Sequence, residues 1–303
     1  MYRTFVILRH TFIESVVQPI YLLLLAICGA VLMVFGMLPF FTLGEDTIMY
    51  KAVSLDVVLL FVLIMTLFAT SKSIYEEIED RTMLTLMSKP VRRWEVLVGK
   101  YLGIICAALL AVAILGVVVV LCTWARIPTD YQLRAWTMDD RETRLIHDYR
   151  WMHFAGLVPS LLLVWLQISV LAAVSVALST RFSLVVNLPA VILIYIAGNL
   201  TRFLFPLTAG ESVVAKTLSR LVATIFPYLA NFDLRSQTVY AKIAIHNTSL
   251  WPQPGIPHPD VVYLSHIWSY VGIATLYGIC YASFSLSAGM WLFKTRELGG
   301  AEG

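Results

Sequence analysis

Charge is what this 303-residue chain has least of: Asp, Glu, Lys and Arg together make up 14% of it, roughly half the share of an ordinary soluble domain. A chain that is 59% hydrophobic, with mean hydropathy +0.80, cannot cover itself in polar surface. A net charge of +3 gives no field that would gather nucleic acid. A phosphate loop is missing too. Gly99-Lys100 is followed by Tyr101, and Trp94 stands where the first glycine would be needed, so nothing cradles a triphosphate. There is no HExxH, GxSxG or dinucleotide fingerprint, and no CxxC. The four cysteines (28, 106, 122, 280) all lie in apolar segments without a His partner, which marks them as packing residues. Glu211, His246, His258 and His266 share one region, but their irregular spacing does not suit a metal. The apolar runs contain no ion pair or proton relay; Asp56, near an end, is their single acid. Carriers driven by protons or ions keep ionisable groups near the membrane midplane. Energy for any transport must therefore come from outside this chain.

What the sequence does contain is six apolar runs, at 19–41, 52–70, 101–124, 154–180, 182–200 and 267–293, each suited to cross a hydrocarbon core of about 30 Å. Tyr21, Trp124, Trp151, Trp268 and Trp291 stand near their ends, as interfacial aromatics do. The fold expected is an all-α integral membrane protein with a single transmembrane domain over 1–303. Ahead of the first run, residues 1–18 read as an amphipathic helix lying in the headgroup plane. Tyr2, Phe5, Val6, Phe12, Ile13, Val16 and Val17 share its apolar face, from which Arg9 can snorkel. Arg3, Thr4, His10, Thr11, Glu14 and Gln18 form the other face. The run that follows is too long for a signal h-region and is expected to be retained.

Between the second and third runs lies a stretch of different character. Residues 71–103 carry six Lys or Arg (72, 81, 89, 92, 93, 100) and five acids (76, 77, 79, 80, 95). Each ion at the centre of a bilayer costs about 2.5–3.5 kcal/mol, so the stretch reads as a water-facing bracket. It has no Gly or Pro from Ser71 to Lys89, which predicts a helix running out of the second span. Pro90 breaks it. Trp94, Leu97, Val98, Tyr101, Leu102 and Ile105 then recur at helical spacing and lead into the third span. On these residues alone the bracket is either a solvated loop helix or a docking element.

The other connections are 42–51, 125–153 and 201–266. The second balances five Arg (126, 134, 141, 144, 150) against five acids. The third holds an amphipathic helix made by Val213, Val214, Thr217, Leu218, Leu221, Val222 and Ile225, opposed by Lys216 and Arg220 and ended by Pro227. A proline-rich stretch over 251–260 cannot enter a helix. Asn199-Leu-Thr and Asn247-Thr-Ser match the glycosylation pattern. Eleven Lys and Arg fall on each side of the membrane, so charge leaves the orientation neutral. Asn187, Asn199, Tyr270, Tyr277, Tyr281, Ser283, Ser285 and Ser287 either line a path or hydrogen-bond helix to helix, the second being the plainer reading.

The stretch EEIEDRTMLTLMSKPVRRWEVLVGKYLG resembles the signature segment of permease subunits of type-2 ATP-binding-cassette (ABC) exporters. The shared features are the acidic run Glu76 to Asp80, Thr82, the apolar turn Met83 to Met87, Ser88-Lys89-Pro90, the Arg92-Arg93 pair and Gly99 to Gly103. Arg81 stands where that family often has Gly. FKTREL, from Phe293, resembles the family's exit from its sixth span. The resemblance implies a coupling helix in segment 71–100, contacting an ATPase through Glu76, Glu79, Asp80, Arg81, Thr82, Leu84, Lys89, Arg92 and Arg93. It implies a second permease subunit, identical or not, and cytoplasmic ATPase subunits that hold ATP and Mg. This chain would then be no enzyme, with no cofactor or metal of its own, set in the lipid bilayer of the cell (inner or plasma) membrane with both termini cytoplasmic. It would bind no nucleic acid. The competing reading is a membrane scaffold or membrane enzyme acting through its outer loops. Purified without other subunits, the chain is expected to bind no ATP at micromolar concentration in equilibrium dialysis; saturable binding there would defeat the permease reading.

Overall fold

The computed structural model describes residues 2–38, 46–80, 92–130, 140–207, 226–240, 242–244 and 261–294. Helix α1 (Tyr2–Val17) is followed directly by α2 (Pro19–Met37), whose first residue is the proline that suits a helix start. Helix α3 (Asp46–Thr70) continues through a π-helical segment, Ser71–Glu76, into a last turn at Glu77–Glu79. Helices α4 (Arg93–Asp130), α5 (Asp140–Ser179), α6 (Leu184–Leu207) and α7 (Leu264–Lys294) complete the bundle. Among the described residues five helices are long and apolar enough to cross a membrane, while the apolar part of α6 is the shorter Leu184–Leu200.

These helices outrun the apolar runs that announce them. The 34 residues of Asp46–Glu79 span about 51 Å at 1.5 Å per residue, well beyond a core of about 30 Å. The expected connections 42–51 and 125–153 therefore shrink, because α3 starts at Asp46, α4 runs on to Asp130 and α5 starts at Asp140. Charged side chains at those ends tie one helix to the next. Asp130 accepts a hydrogen bond from the Thr47 backbone N–H (3.1 Å) at the start of α3, where a carboxylate is favoured. The Arg126 guanidinium donates to the last carbonyls of α2, at Gly36 (2.9 Å) and Leu38 (2.9 Å), and stands 5.5 Å from the Tyr50 ring centre.

Helix α5 is the axis of the bundle and packs against α3, α4, α6 and α7. One core, with Leu55, Val58, Val62, Val112, Leu115 and Ile168, joins α2 through α5. A second, with Leu67, Leu171, Val191, Ile267 and Val271, joins α3, α5, α6 and α7. From Phe226 to Tyr240 the chain dips back into the bundle as a 3₁₀ turn (Leu229–Phe232) and a helical turn (Arg235–Thr238), burying Leu229, Phe232 and Leu234. Two three-residue strands, β1 (Lys242–Ala244) and β2 (Val261–Tyr263), pair in parallel beside it, with Ile243 opposite Val262. Hydropathy gave no sign of this small ladder. The amphipathic helix expected over 213–225 and the proline-rich 251–260 lie outside the described residues.

Helix α1 lies across α4: Tyr2, Phe5, Val6, Ile13 and Val17 are exposed, whereas Thr11 and Ser15 are buried and Ile7, Phe12 and Val16 are partly buried against the bundle. The seam closes on two glycines one turn apart. A Cβ on Gly103 would sit 2.7 Å from the Leu8 carbonyl oxygen, and one on Gly99 would sit 2.9 Å from Ile7 Cγ2. Gly29, in α2, has nothing within 4 Å of such a Cβ. Gly103→Ala should lower stability by about 1–3 kcal/mol through overpacking, while Gly29→Ala should be neutral or slightly stabilising. Thermal unfolding in detergent checks this; equal effects of the two changes would mean that α1 does not rest on α4.

Candidate functional site

At one end of the bundle α3 and α4 emerge side by side, and the residues expected to contact a partner divide into three groups. Glu76, Glu79 and Asp80 are exposed on the last turns of α3, and Arg92 is exposed at the start of α4. Their spacing at i, i+3 and i+4 sets the three carboxylates on one face. Arg93 is engaged within the subunit: its guanidinium lies 5.5 Å from the Phe293 ring centre and donates to the Phe293 carbonyl (3.4 Å). Arg181, in the tight turn between α5 and α6, donates to Leu292 O (3.2 Å), so two cations serve the last carbonyls of α7. Arg81, Thr82, Leu84 and Lys89 lie outside the described residues. Arg92 opens α4 as an N-cap, its N–H donating to Glu95 Oε2 (2.9 Å) in half of a capping box.

Two residues that the sequence placed in water hold this end together. Lys100 is 2% exposed. Its ammonium pairs with Glu77 Oε1 at 2.5 Å and donates to the Ser73 carbonyl and to Ser73 Oγ. Ser73 lies in the π-helical segment at the exit of α3, where a wider turn redirects the backbone, and Glu77 opens the last turn after it. The buried face of α4 is Val96, Leu97, Gly99, Lys100, Tyr101, Gly103 and Ile104, rotated from the expected stripe, and Trp94 is exposed. A lysine set between two close-packed glycines was the available signal. Just inside, a polar chain crosses the helices. Thr70 Oγ1 lies 2.6 Å from Ser175 Oγ, and Asn187 Nδ2 donates to Ser175 Oγ (2.8 Å) and Ser179 Oγ (2.9 Å). Asn187 thus joins helix to helix.

The opposite end carries charge that the apolar runs did not reveal. Lys51, expected in a connection, is 2% exposed on α3; its ammonium lies 2.8 Å from His153 Nδ1 on α5 and donates to Val239 O (3.2 Å). Asp56 is not isolated. Arg235, from the segment that dips into the bundle, grips both its oxygens at 2.7 and 2.5 Å and also lies 3.6 Å from Asp233. The same segment is fitted against glycines: a Cβ on Gly156 would lie 2.2 Å from Thr238 O, and one on Gly198 would lie 2.6 Å from Pro227 O. Tyr228 N–H donates to Tyr277 Oη (2.8 Å). Beneath it is a cavity of about 280 Å³, lined by Asp56, Gln167, Tyr195, Asn199, Asp233 and Arg235 among others. Asn199 belongs to α6 and is half-buried, its amide donating to Tyr195 O (2.9 Å).

The family model for ABC-2 family transporter proteins matches residues 6–298. No curated protein matches the chain. That family implies association with ABC ATPase components, and its match agrees with a bundle of several membrane-crossing helices, so this is a multi-pass membrane protein. With all but a few residues at each end covered, the chain belongs to the ABC-2 family of transporter proteins, as a membrane permease component of an ABC transporter.

Proposed function

We propose that this chain is the six-span permease subunit of an ABC exporter, a single transmembrane domain over 1–303 that moves a substrate with energy from ATP hydrolysed elsewhere. The bracket end faces the cytoplasm with both termini, in the inner or plasma membrane, and two permease subunits pair above two ATPase subunits that hold ATP and Mg. Segment 71–100 is the coupling element, with α6 as the fifth span.

The observation that carries this reading is the division of labour at the bracket. Glu76, Glu79, Asp80 and Arg92 face outward, free of the bundle core, while Glu77 and Lys100 behind them bind α3 to α4. A push on the outer residues would then reach two spans as one body. Met83, Leu84, Leu86 and Met87 add an apolar turn of the kind that seats in a partner's groove.

Glu79→Lys and Leu84→Asp should leave insertion and expression intact. Either should weaken ATPase copurification at least about 30-fold, since a charge buried without its partner costs about 2–5 kcal/mol. Full copurification and full transport with both changes present would make the bracket a plain loop. Orientation is tested separately by single cysteines introduced for accessibility labelling. Those at Lys89 and Glu302 should react from the cytoplasmic side alone, and those at Asp139 and Gly255 from outside; outside labelling at Lys89 would remove the ATPase-docking argument.

A further inference from the structure

Where α1 gives way to α2, an open groove of about 620 Å³ is bordered by Ile13, Glu14, Val17, Pro19 and Lys72 among others. Ligand sites usually occupy about 300–1,000 Å³, so the groove is of a useful size. Pro19 begins the first apolar run, and Lys72 stands just past Thr70, the end of the second. Both therefore mark one boundary of the hydrocarbon core, and the groove lies at headgroup depth. Ile13, Val17 and Pro19 are exposed, so it offers apolar wall as well as charge.

Two opposite charges in the groove lack hydrogen-bond partners among the described residues. Glu14 lines it with a side chain 28% exposed, and its buried Oε2 accepts no hydrogen bond. His10 Nδ1 stands 3.9 Å from that oxygen, outside hydrogen-bond reach, on an exposed side chain. Lys100 is near enough to feel the Glu14 charge, but its ammonium is already taken by Glu77 and Ser73. Lys72, half-buried on the exit of α3, makes no hydrogen bond or ion pair among the described residues. Gln18 and Pro19, at the start of α2, also border the groove, and the N-terminal end of a helix favours an anion. The groove thus has a place for one negative group and one positive group side by side.

We propose that it holds a zwitterionic phospholipid with a primary-amine headgroup, phosphatidylethanolamine. The phosphate pairs with Lys72 and the ammonium with Glu14, while the acyl chains cover Ile13, Val17 and Pro19. Lys72 and Glu14 cancel in charge, as phosphate and ammonium do. An ammonium brings three N–H donors to the carboxylate, whereas a choline headgroup has none. A glycerol headgroup has no cation and would set its phosphate charge against Glu14 without relief. The site joins α1, α2 and the exit of α3 within one chain, so it needs the membrane setting and not the ATPase coupling.

The test uses the full chain in detergent without other subunits, titrated with palmitoyl-oleoyl phosphatidylethanolamine, -choline and -glycerol, with bound lipid counted by native mass spectrometry. The ethanolamine lipid should bind at least about tenfold more tightly than either other lipid, a difference of about 1.4 kcal/mol. Glu14→Gln keeps the shape of the side chain and should bring the ethanolamine lipid down to the level of the choline lipid. Lys72→Gln should weaken both of these about tenfold, the loss of one charge-assisted contact. Both variants should keep the unfolding temperature within a few degrees; if Glu14→Gln fails to fold, the wild-type preference and Lys72→Gln decide. Equal binding of the three lipids, tightest binding of the glycerol lipid, an ethanolamine preference that survives Glu14→Gln, or binding untouched by Lys72→Gln would each overturn the proposal. Such a failure with ATPase copurification intact would remove the lipid site and leave the permease reading standing; loss of copurification with the lipid preference intact would do the reverse.

Discussion

An ammonium group can leave water only if its donors and its charge are met in the place it goes to, because the uncompensated ion costs several kcal/mol even after the surroundings relax. Lys100 meets that condition through one carboxylate, one carbonyl and one hydroxyl, all from the exit of α3. Much else at this end follows from keeping those partners in place. The π-helical widening at Ser71–Glu76 sets Ser73 and Glu77 toward α4. Gly99 and Gly103 let α1 lie close over the same stretch of α4 that carries the lysine. Removing Glu77 alone would leave a buried cation, so the pair constrains geometry more firmly than it adds to stability.

The far end solves the same problem with different groups. There buried Lys51 and exposed Asp56 both find partners in Phe226–Tyr240, a segment that threads back among α3, α5, α6 and α7. Arg235 reaches Asp56 and the Val239 carbonyl reaches Lys51, so two of the three charged residues on α3 have counterparts in one short piece of chain. Glycines at Gly156 and Gly198 provide the clearance for it. The two ends of α3 are therefore tied by polar contacts while its middle is held by apolar packing, with Val58, Leu59 and Val62 among its most buried residues.

How much of this was visible beforehand depends on the physics each feature uses. Long apolar runs report transfer free energy directly, so the order of the spans and the interruption at 71–103 were legible, as was the tight turn at Arg181. Hydropathy stops where charge begins, whereas a helix stops where its backbone hydrogen bonds do; Asp46–Lys51 and Arg126–Asp130 are helical for that reason although they read as loops. Lys51 and Lys100 were assigned to water because burial of a lysine depends on a partner distant in sequence. His153 is 102 residues from Lys51, and Ser73 is 27 from Lys100. The face of α4 was misread because the close seam is made by glycines, which carry no apolar weight. Glu76, Glu79, Asp80 and Arg92 were read as solvent-facing and are. Arg93 was grouped with them through the resemblance carried by the Arg92-Arg93 pair, which could not reveal the carbonyls at the end of α7.

The glycine seam between α1 and α4 also bears on how the protein is made. Helix α1 is synthesised ahead of the surface it packs on: the stretch around Gly99 and Gly103 follows roughly 90 residues later, which is about 5–20 s of translation at ordinary rates. Through that interval α4 is not yet there for α1 to rest on. Its exposed apolar face, Tyr2, Phe5, Val6, Ile13 and Val17, gives it the bilayer surface as a waiting place. Its small polar face, Thr11 and Ser15, stays in reserve for α4. Helix α1 is then made before α4 yet can dock only after it, so assembly of the bracket end is set by the arrival of α4.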